Sequence, residues 1–153
     1  MKNLFFTALL VACNLAVSAQ KSIADKTSQE KLNDKYCNGL FKSTDGTILD
    51  VASNASAGSY FNILDWLQGR VAGLQLYTLK NGTRIPVIRG QQPGIFVDER
   101  QVSTGYLSLL SVSDIAVIKV IKTPFYGGFN SGGGAIAIYT IVAGEDEETG
   151  GGN

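Results

Sequence analysis

The sequence of 153 residues contains no histidine, and this absence restricts the chemistry that is open to the protein. Histidine is the most frequent general base in enzymes and the commonest metal ligand. Ser131 lies among glycines, but no G-x-S-x-G motif surrounds it and no histidine is present to activate it. The sequence therefore offers none of the catalytic sites that depend on histidine.

Recognisable motifs for cofactors and metal ions are missing as well. The glycine-rich stretch Gly127–Gly134 lacks both the lysine-serine ending of a P-loop and the spacing of a G-x-G-x-x-G motif. The acidic residues show no EF-hand spacing. We therefore predict a protein that is not an enzyme and that binds neither a cofactor nor a metal ion.

Charge is scarce and balanced. Charged residues make up 17% of the chain, and 13 lysines and arginines stand against 13 aspartates and glutamates. Without a basic excess the chain has no means of neutralising a phosphate backbone, so nucleic acid is not a predicted partner. Hydrophobic residues make up 44%, which is enough for the packed core of one domain of this length.

The first residues have the pattern of an export signal. Lys2 precedes an apolar stretch that ends at Val17, and small residues then lead to Ala19, after which a signal peptidase would cleave. We predict a signal peptide at 1–19 and, because the apolar stretch is too short for a spanning helix, no transmembrane segment. In an alternative interpretation, the sequence before Cys13 is a lipoprotein cleavage box and Cys13 carries a lipid anchor.

Cysteine is rare, since Cys13 and Cys37 are the two in the chain. Cleavage after Ala19 leaves Cys37 alone, and a single cysteine excludes an internal disulfide. We expect a partly buried thiol that packs as a small apolar side chain. An intermolecular disulfide is the alternative.

Composition divides the rest of the chain into three parts. Residues 20–46 are polar and predict a linker, whose end Tyr36, Leu40 and Phe41 are candidates to attach to the core. Residues 47–143 form the predicted domain. Residues 144–153 are acidic and rich in glycine, which predicts a solvated tail.

Hydrophobic periodicity predicts one longer helix and several short strands within the domain. The helix is predicted over Ser59–Val71, with Ser59 as its N-cap and Gly69 or Gly73 at its end. A second, short helix is predicted over Thr104–Leu110. The predicted strands are Leu74–Leu79, Arg84–Arg89, Gly94–Asp98, Arg100–Val102, Ile115–Ile121 and Ala135–Val142. These elements indicate an α+β fold, a small mixed β-sheet with short helices.

Four segments also match a known family in their order and spacing. They are Leu64–Leu74 (LDWLQGRVAGL), Ile85–Gly90 (IPVIRG), Gly94–Glu99 (GIFVDE), and Val112–Lys122 with Tyr126-Gly127 and Gly133–Thr140 behind it. Together they resemble the plug domain of TonB-dependent outer-membrane receptors, over about Asp50 to Ile141. The resemblance implies a plug-like domain and an exported protein of the periplasm or of the periplasmic face of the outer membrane.

The resemblance also implies partners and interaction residues. In the family, the arginine of the IRG strand faces carboxylates of the surrounding barrel, which makes Arg89 the residue that would face a barrel wall. Lys122 falls where many members carry a second basic residue, and Asp98 closes the third segment. We therefore expect Arg89, Asp98 and Lys122 to be interaction residues, and an outer-membrane β-barrel or a TonB-like protein to be the partner.

The sequence departs from the family pattern at several positions. Lys119 stands where the family usually has glutamate, and Glu99 stands where it usually has glycine. Thr47–Val51 is a weak match to a TonB box and is more simply the strand that enters the domain. After Val142 only the acidic tail remains, so we expect no barrel in this chain and no transport by the chain alone.

Two hypotheses for the function stay open on the sequence. The domain is either a binding module related to outer-membrane transport, or a truncated or diverged receptor plug with a structural role alone. A lipid-anchored envelope protein is the third hypothesis.

Overall fold

The computed structural model describes residue 26, residues 28–124 and residues 132–141. The predicted signal peptide, the candidate lipid site at Cys13, residues 127–131 of the glycine-rich stretch and the acidic tail all lie outside these residues. Among the residues that are described, no helix is long and apolar enough to cross a membrane.

The described residues form a mixed five-stranded sheet and a separate two-stranded hairpin, with short helices around them. Helix α1 covers residues 28–36, and α2 is Ile63–Leu67. The strands are β1 Thr47–Asp50, β2 Leu74–Thr78, β3 Arg84–Ile88, β4 Gly94–Val97, β5 Arg100–Val102, β6 Ile115–Ile121 and β7 Ala135–Thr140. Four 3₁₀ turns are Gly39–Phe41, Ala57–Ser59, Thr104–Ser108 and Val112–Asp114. The predicted α+β class with a small mixed sheet is confirmed.

The order of the strands in the large sheet is β1-β6-β7-β4-β5. The β4–β7 pair is parallel and the other three pairs are antiparallel. The segment Thr47–Val51, weighed as a TonB box, supplies β1, which pairs with β6. The strands β2 and β3 form the separate hairpin.

The central strands β6 and β7 are buried on both faces, as their continuous apolar sequences predict. Side chains alternate between the faces of a strand, so each strand contributes to two cores. Ile118 and Ile138 belong to the core that α2 and the hairpin cover, whereas Val117 and Tyr139 belong to the core on the opposite face. The sheet is therefore the middle layer of three.

From residue 28 onward, the segment predicted as a linker over 20–46 packs on the second face of the sheet, and Tyr36, Leu40 and Phe41 are among the residues that attach it there. Residues 28–46, called the covering segment below, run through α1 and the first 3₁₀ turn into β1. Cys37 and Phe41 are fully buried, and the ring of Phe41 meets Phe96 edge-on, with 4.9 Å between ring centroids.

Spacing explains why so polar a segment folds against the sheet. Its few apolar residues recur at helical intervals, and Leu32, Tyr36 and Leu40 all pack against the second core. Without them the apolar second face of the sheet would meet water, which costs roughly 25 cal/mol for each Å² exposed.

The helix predicted over Ser59–Val71 is shorter in the structure, where α2 covers Ile63–Leu67. Ser59 ends a 3₁₀ turn, and the N-cap of α2 is Asn62, whose side chain accepts a hydrogen bond from the N–H of Leu64 at 2.9 Å. Asparagine is at least as good an N-cap as serine, so the later residue starts the helix. The short helix predicted over Thr104–Leu110 is a 3₁₀ turn over Thr104–Ser108.

Candidate functional site

Arg89 lies at the tip of a tight turn that follows β3. The N–H of Ile88 donates to the carbonyl oxygen of Gln91 at 2.8 Å, and the N–H of Gln91 donates back to Ile88 at 3.1 Å. The two residues between them, Arg89 and Gly90, both have positive φ, 52° and 79°. Positive φ at both central positions is typical of a type I′ turn. This turn holds the exposed Arg89 side chain away from the core.

Lys122 lies at the same end of the sheet as Arg89. It directly follows β6, whose last residue pairs with the first residue of β7, which in turn pairs with the first residue of β4. The glycines before β7 pack on the Arg89 turn, since a Cβ atom on Gly133 would lie 2.6 Å from the carbonyl oxygen of Gln91. We call this end of the sheet, with Arg89 and Lys122, the basic end.

Asp98 lies at the other end of β4, away from the basic end. It and Glu99 are the two turn residues between β4 and β5, again with positive φ, 46° and 65°. The Asp98 carboxylate accepts hydrogen bonds from the N–H of Thr140 at 2.9 Å and from its hydroxyl at 2.8 Å. These bonds tie the β4–β5 turn to the end of β7.

The three interaction residues expected from the sequence do not form one surface. The strand β4 has four residues, which corresponds to about 13 Å of extended chain. Arg89 precedes that strand and Asp98 follows it. Arg89 and Lys122 lie at one end of the sheet, whereas Asp98 belongs to the opposite end.

Lys119 is the buried charged residue among those the structure describes, and it holds the covering segment. Its side chain is on the second face of β6 and is 3% exposed. The ammonium group donates to the side-chain oxygen of Asn33 and to the carbonyl oxygen of Phe41, both at 2.6 Å. Burial lowers the pKa of Lys119, while the nearby Cys37 and Asp45 act in the opposite direction.

Glu99 holds the covering segment at a second point. One carboxylate oxygen accepts from the N–H of Leu40 at 3.1 Å, and the other accepts from the hydroxyl of Tyr139 at 3.4 Å. Glu99 and Lys119 are the two residues at which the sequence analysis found a substitution relative to the plug pattern. The sequence identified both residues but not their common role in holding the covering segment. Each contact joins positions more than 50 residues apart in the chain.

Cys37 lies close to both Lys119 and Glu99 and is a free, buried thiol. Burial raises the pKa of the Cys37 thiol, against the smaller influence of its hydrogen bond with Tyr139 and of the charge on Lys119. A thiol with a raised pKa that water does not reach is a poor nucleophile. The expected role of Cys37 as a packed apolar residue agrees with this environment.

We expect the thiol of Cys37 to react about a hundredfold or more slowly with a water-soluble disulfide reagent in the native protein than in urea, because reaction requires local opening of the covering segment. Cys13 is replaced by serine so that one thiol reports. The matched control places the cysteine at an exposed position of α1 in the same covering segment, as Lys31→Cys with Cys37→Ala. Equal rates for the two native proteins would contradict the burial of Cys37.

The described residues show no arrangement for metal binding, since no group of three Cys, Asp or Glu side chains among them is placed to hold an ion. The polar groups on the second face bind one another and the backbone of the covering segment. Such bonds fix the fold locally. At the basic end, Arg89 is exposed and Lys122 is half-buried.

Comparison with known proteins gives similarity in structure alone. No family model and no curated protein matches the chain. A chain of the RagAB peptide importer in its open-open state superposes with a TM-score of 0.51 and 26% identity, covering 65% of this chain and 12% of that chain. A structure of the RagAB peptide transporter gives a TM-score of 0.50 and 26% identity, covering 65% and 13%.

A mutant of the ferric enterobactin receptor PfeA from Pseudomonas aeruginosa, in complex with enterobactin, gives a TM-score of 0.53 at 20% identity, covering 67% of this chain and 18% of that chain. At this identity the likeness concerns the fold. RagAB and PfeA are TonB-dependent receptors, and the similarity is consistent with a plug-like domain. This chain spans between 12% and 18% of the length of these neighbours.

Proposed function

We propose that the chain is a non-catalytic, plug-like module of the outer envelope that binds an outer-membrane β-barrel protein through its basic end. The observation that carries the proposal is the position of Arg89, exposed at the tip of a rigid turn on a fold that transport receptors share. Export through the signal at 1–19 would bring the module to the periplasmic face of the outer membrane.

The chemistry of the basic end suits a wall that carries carboxylates. The planar guanidinium group forms two parallel hydrogen bonds with one carboxylate, which gives both affinity and orientation. The type I′ turn holds the backbone of Arg89 in place before binding, so that less entropy is lost on contact. Lys122 adds a second positive charge at the same end.

We expect Arg89→Ala to reduce capture of the partner about tenfold or more, because a charged hydrogen bond at a binding surface contributes roughly 1.5–3 kcal/mol. Cells that express the tagged chain are crosslinked, and the captured envelope proteins are quantified by mass spectrometry. The matched control is Lys80→Ala, which removes the same charge at the exposed far end of the β2–β3 hairpin.

Recovery of one barrel protein, lost with Arg89→Ala and kept with Lys80→Ala, would support the proposal. If a TonB-like protein is recovered instead, and is likewise lost with Arg89→Ala and kept with Lys80→Ala, the basic end is still the binding surface but its partner is not a barrel. Capture that neither substitution changes would favour a diverged plug with a structural role. Incorporation of labelled palmitate at Cys13 would separately establish the lipid-anchored form.

A further inference from the structure

Two neighbouring loops of the protein are free of charge. Residues 51–64 and residues 101–113 contain no Asp, Glu, Lys or Arg, although such residues make up 17% of the chain. The loops meet in space, because the 3₁₀ turn Ala57–Ser59 packs against the 3₁₀ turn Val112–Asp114. Serine and asparagine supply most of their polar side chains. This uncharged face therefore joins two parts of the sequence.

Phe61 projects from the first loop and is fully exposed. Its neighbours Tyr60 and Asn62 both have extended backbone angles, so alternate side chains point in opposite directions. Tyr60 packs on the core and lies under the guanidinium of Arg70, and Asn62 caps α2. With both neighbours fixed, the ring of Phe61 is held in solvent by the local geometry.

Leu109 projects from the second loop in the same way. Leu107 is fully buried and Leu110 packs against the core, while Leu109 between them is 83% exposed. The N–H of Leu109 donates to the carbonyl oxygen of Tyr106 at 2.9 Å, which fixes its backbone. Isolated exposed apolar residues are common, but two that are held outward on one face indicate a contact surface.

A groove of about 340 Å³ lies between Phe61 and Leu109. Tyr60, Leu110 and Val112 contribute to its apolar lining, and none of the described residues that line it is charged. A cavity of roughly 150 Å³ holds a benzene molecule, so this groove has room for the ring of a phenylalanine. Charge begins only at the rim, where Arg70 lies over Tyr60 and Asp114 follows Ser113.

We propose that this face binds a second copy of the chain, with Phe61 of each copy seated in the groove of the other. A two-fold interface places the same surface on both partners, so that surface must carry both a projection and a recess that accepts it. Phe61 and the groove meet that condition on one face. Two charged copies of a surface repel near the axis, whereas two copies of an uncharged surface do not.

The proposal predicts that the full chain forms a dimer and that Phe61→Ser weakens it at least about thirtyfold, because a central aromatic contact is lost twice. Sedimentation equilibrium over about 1 to 200 μM measures the dissociation constant. Phe61 is fully exposed in the monomer, so its replacement leaves the fold intact. The control is Leu79→Ser, an exposed apolar residue on the β2–β3 hairpin at 46% exposure.

A dimer that Phe61→Ser and Leu109→Ser both weaken, and that Leu79→Ser leaves unchanged, supports the proposal. A chain that stays monomeric up to the highest concentration overturns it, as does a dimer that persists in the Phe61→Ser protein. If Phe61→Ser reduces capture of an envelope protein while the chain remains monomeric, the face binds another protein and the self-association is refuted. None of these outcomes depends on the partner of the basic end.

Discussion

Replacing Lys119 by glutamate is expected to lower the free energy of unfolding by about 3 kcal/mol or more, even though glutamate is the usual residue at this position in the plug domains that the sequence resembles. The ammonium group donates two short hydrogen bonds to oxygen atoms of the covering segment. A carboxylate at the same place would be buried and would face the carbonyl oxygen of Phe41 without a proton to share. Urea unfolding followed by tryptophan fluorescence measures the change.

Two further substitutions separate the charge from the site. Lys80→Glu makes the same change on an exposed turn, and its effect is expected to stay within about 0.5 kcal/mol. Lys119→Met keeps the length of the side chain but removes both of its hydrogen bonds to the covering segment, which is expected to cost an intermediate amount. If Lys119→Glu is as stable as the parent protein, Lys119 does not hold the covering segment on the sheet.

The central strands were predictable because their sequences are apolar on both faces. The strand β6 was predicted with the bounds that it has, and β7 starts at the predicted residue. The pair Asn81-Gly82, which is typical of a tight turn, lies between β2 and β3. These signals are local, and each concerns neighbours along the chain.

The covering segment was predictable only in part, since Tyr36, Leu40 and Phe41 were candidates to attach its end to the core but its helix was not predicted. Its apolar residues are too few to form a continuous stripe, and its stability comes from contacts with β6 and with the β4–β5 turn, far away in the sequence. A lysine inside an apolar strand was visible in the sequence as an anomaly. What Lys119 binds depends on which segment covers that face of the sheet. No local sequence pattern predicts that segment.

The candidate interaction residues were separated for a similar reason. Arg89 was predicted as the last residue of its strand, and the structure places it one residue beyond β3, exposed in the turn. Whether Asp98 lies beside it depends on strand order and direction, and β4 carries Asp98 to the far end of the sheet through its parallel pairing with β7. Lys122 joins Arg89 because β6 runs antiparallel to β7.

The two proposed contact surfaces lie toward opposite ends of the sheet. The basic end follows β6, and the uncharged face includes Val112 and Ser113, which precede β6. The seven residues of β6 correspond to about 23 Å of extended chain. A dimer formed through the uncharged face would therefore leave both basic ends accessible, so the two proposals are compatible and separately testable.

The second large effect is expected at Gly134, where alanine should lower the free energy of unfolding by about 3 kcal/mol or more. Gly134 has a φ of 85°, and a Cβ atom there would collide with the carbonyl oxygen of Ile121 on the neighbouring strand. The oxygen belongs to the backbone and the backbone of residue 134 fixes the position of the Cβ atom, so no rotation of a side chain relieves the contact. Thermal and urea unfolding of the purified chain measure the loss.

Gly82→Ala separates the two causes of that loss. Gly82 has nearly the same φ, 82°, but a Cβ atom there would meet no atom within 4 Å. Its replacement should cost only the strain of the left-handed backbone, about 1 kcal/mol. The difference between the two variants then measures how closely the entry to β7 packs on the end of β6, beside Lys122. Equal losses would mean that the backbone at the basic end yields easily, and that it does not hold Arg89 and Lys122 in a fixed arrangement.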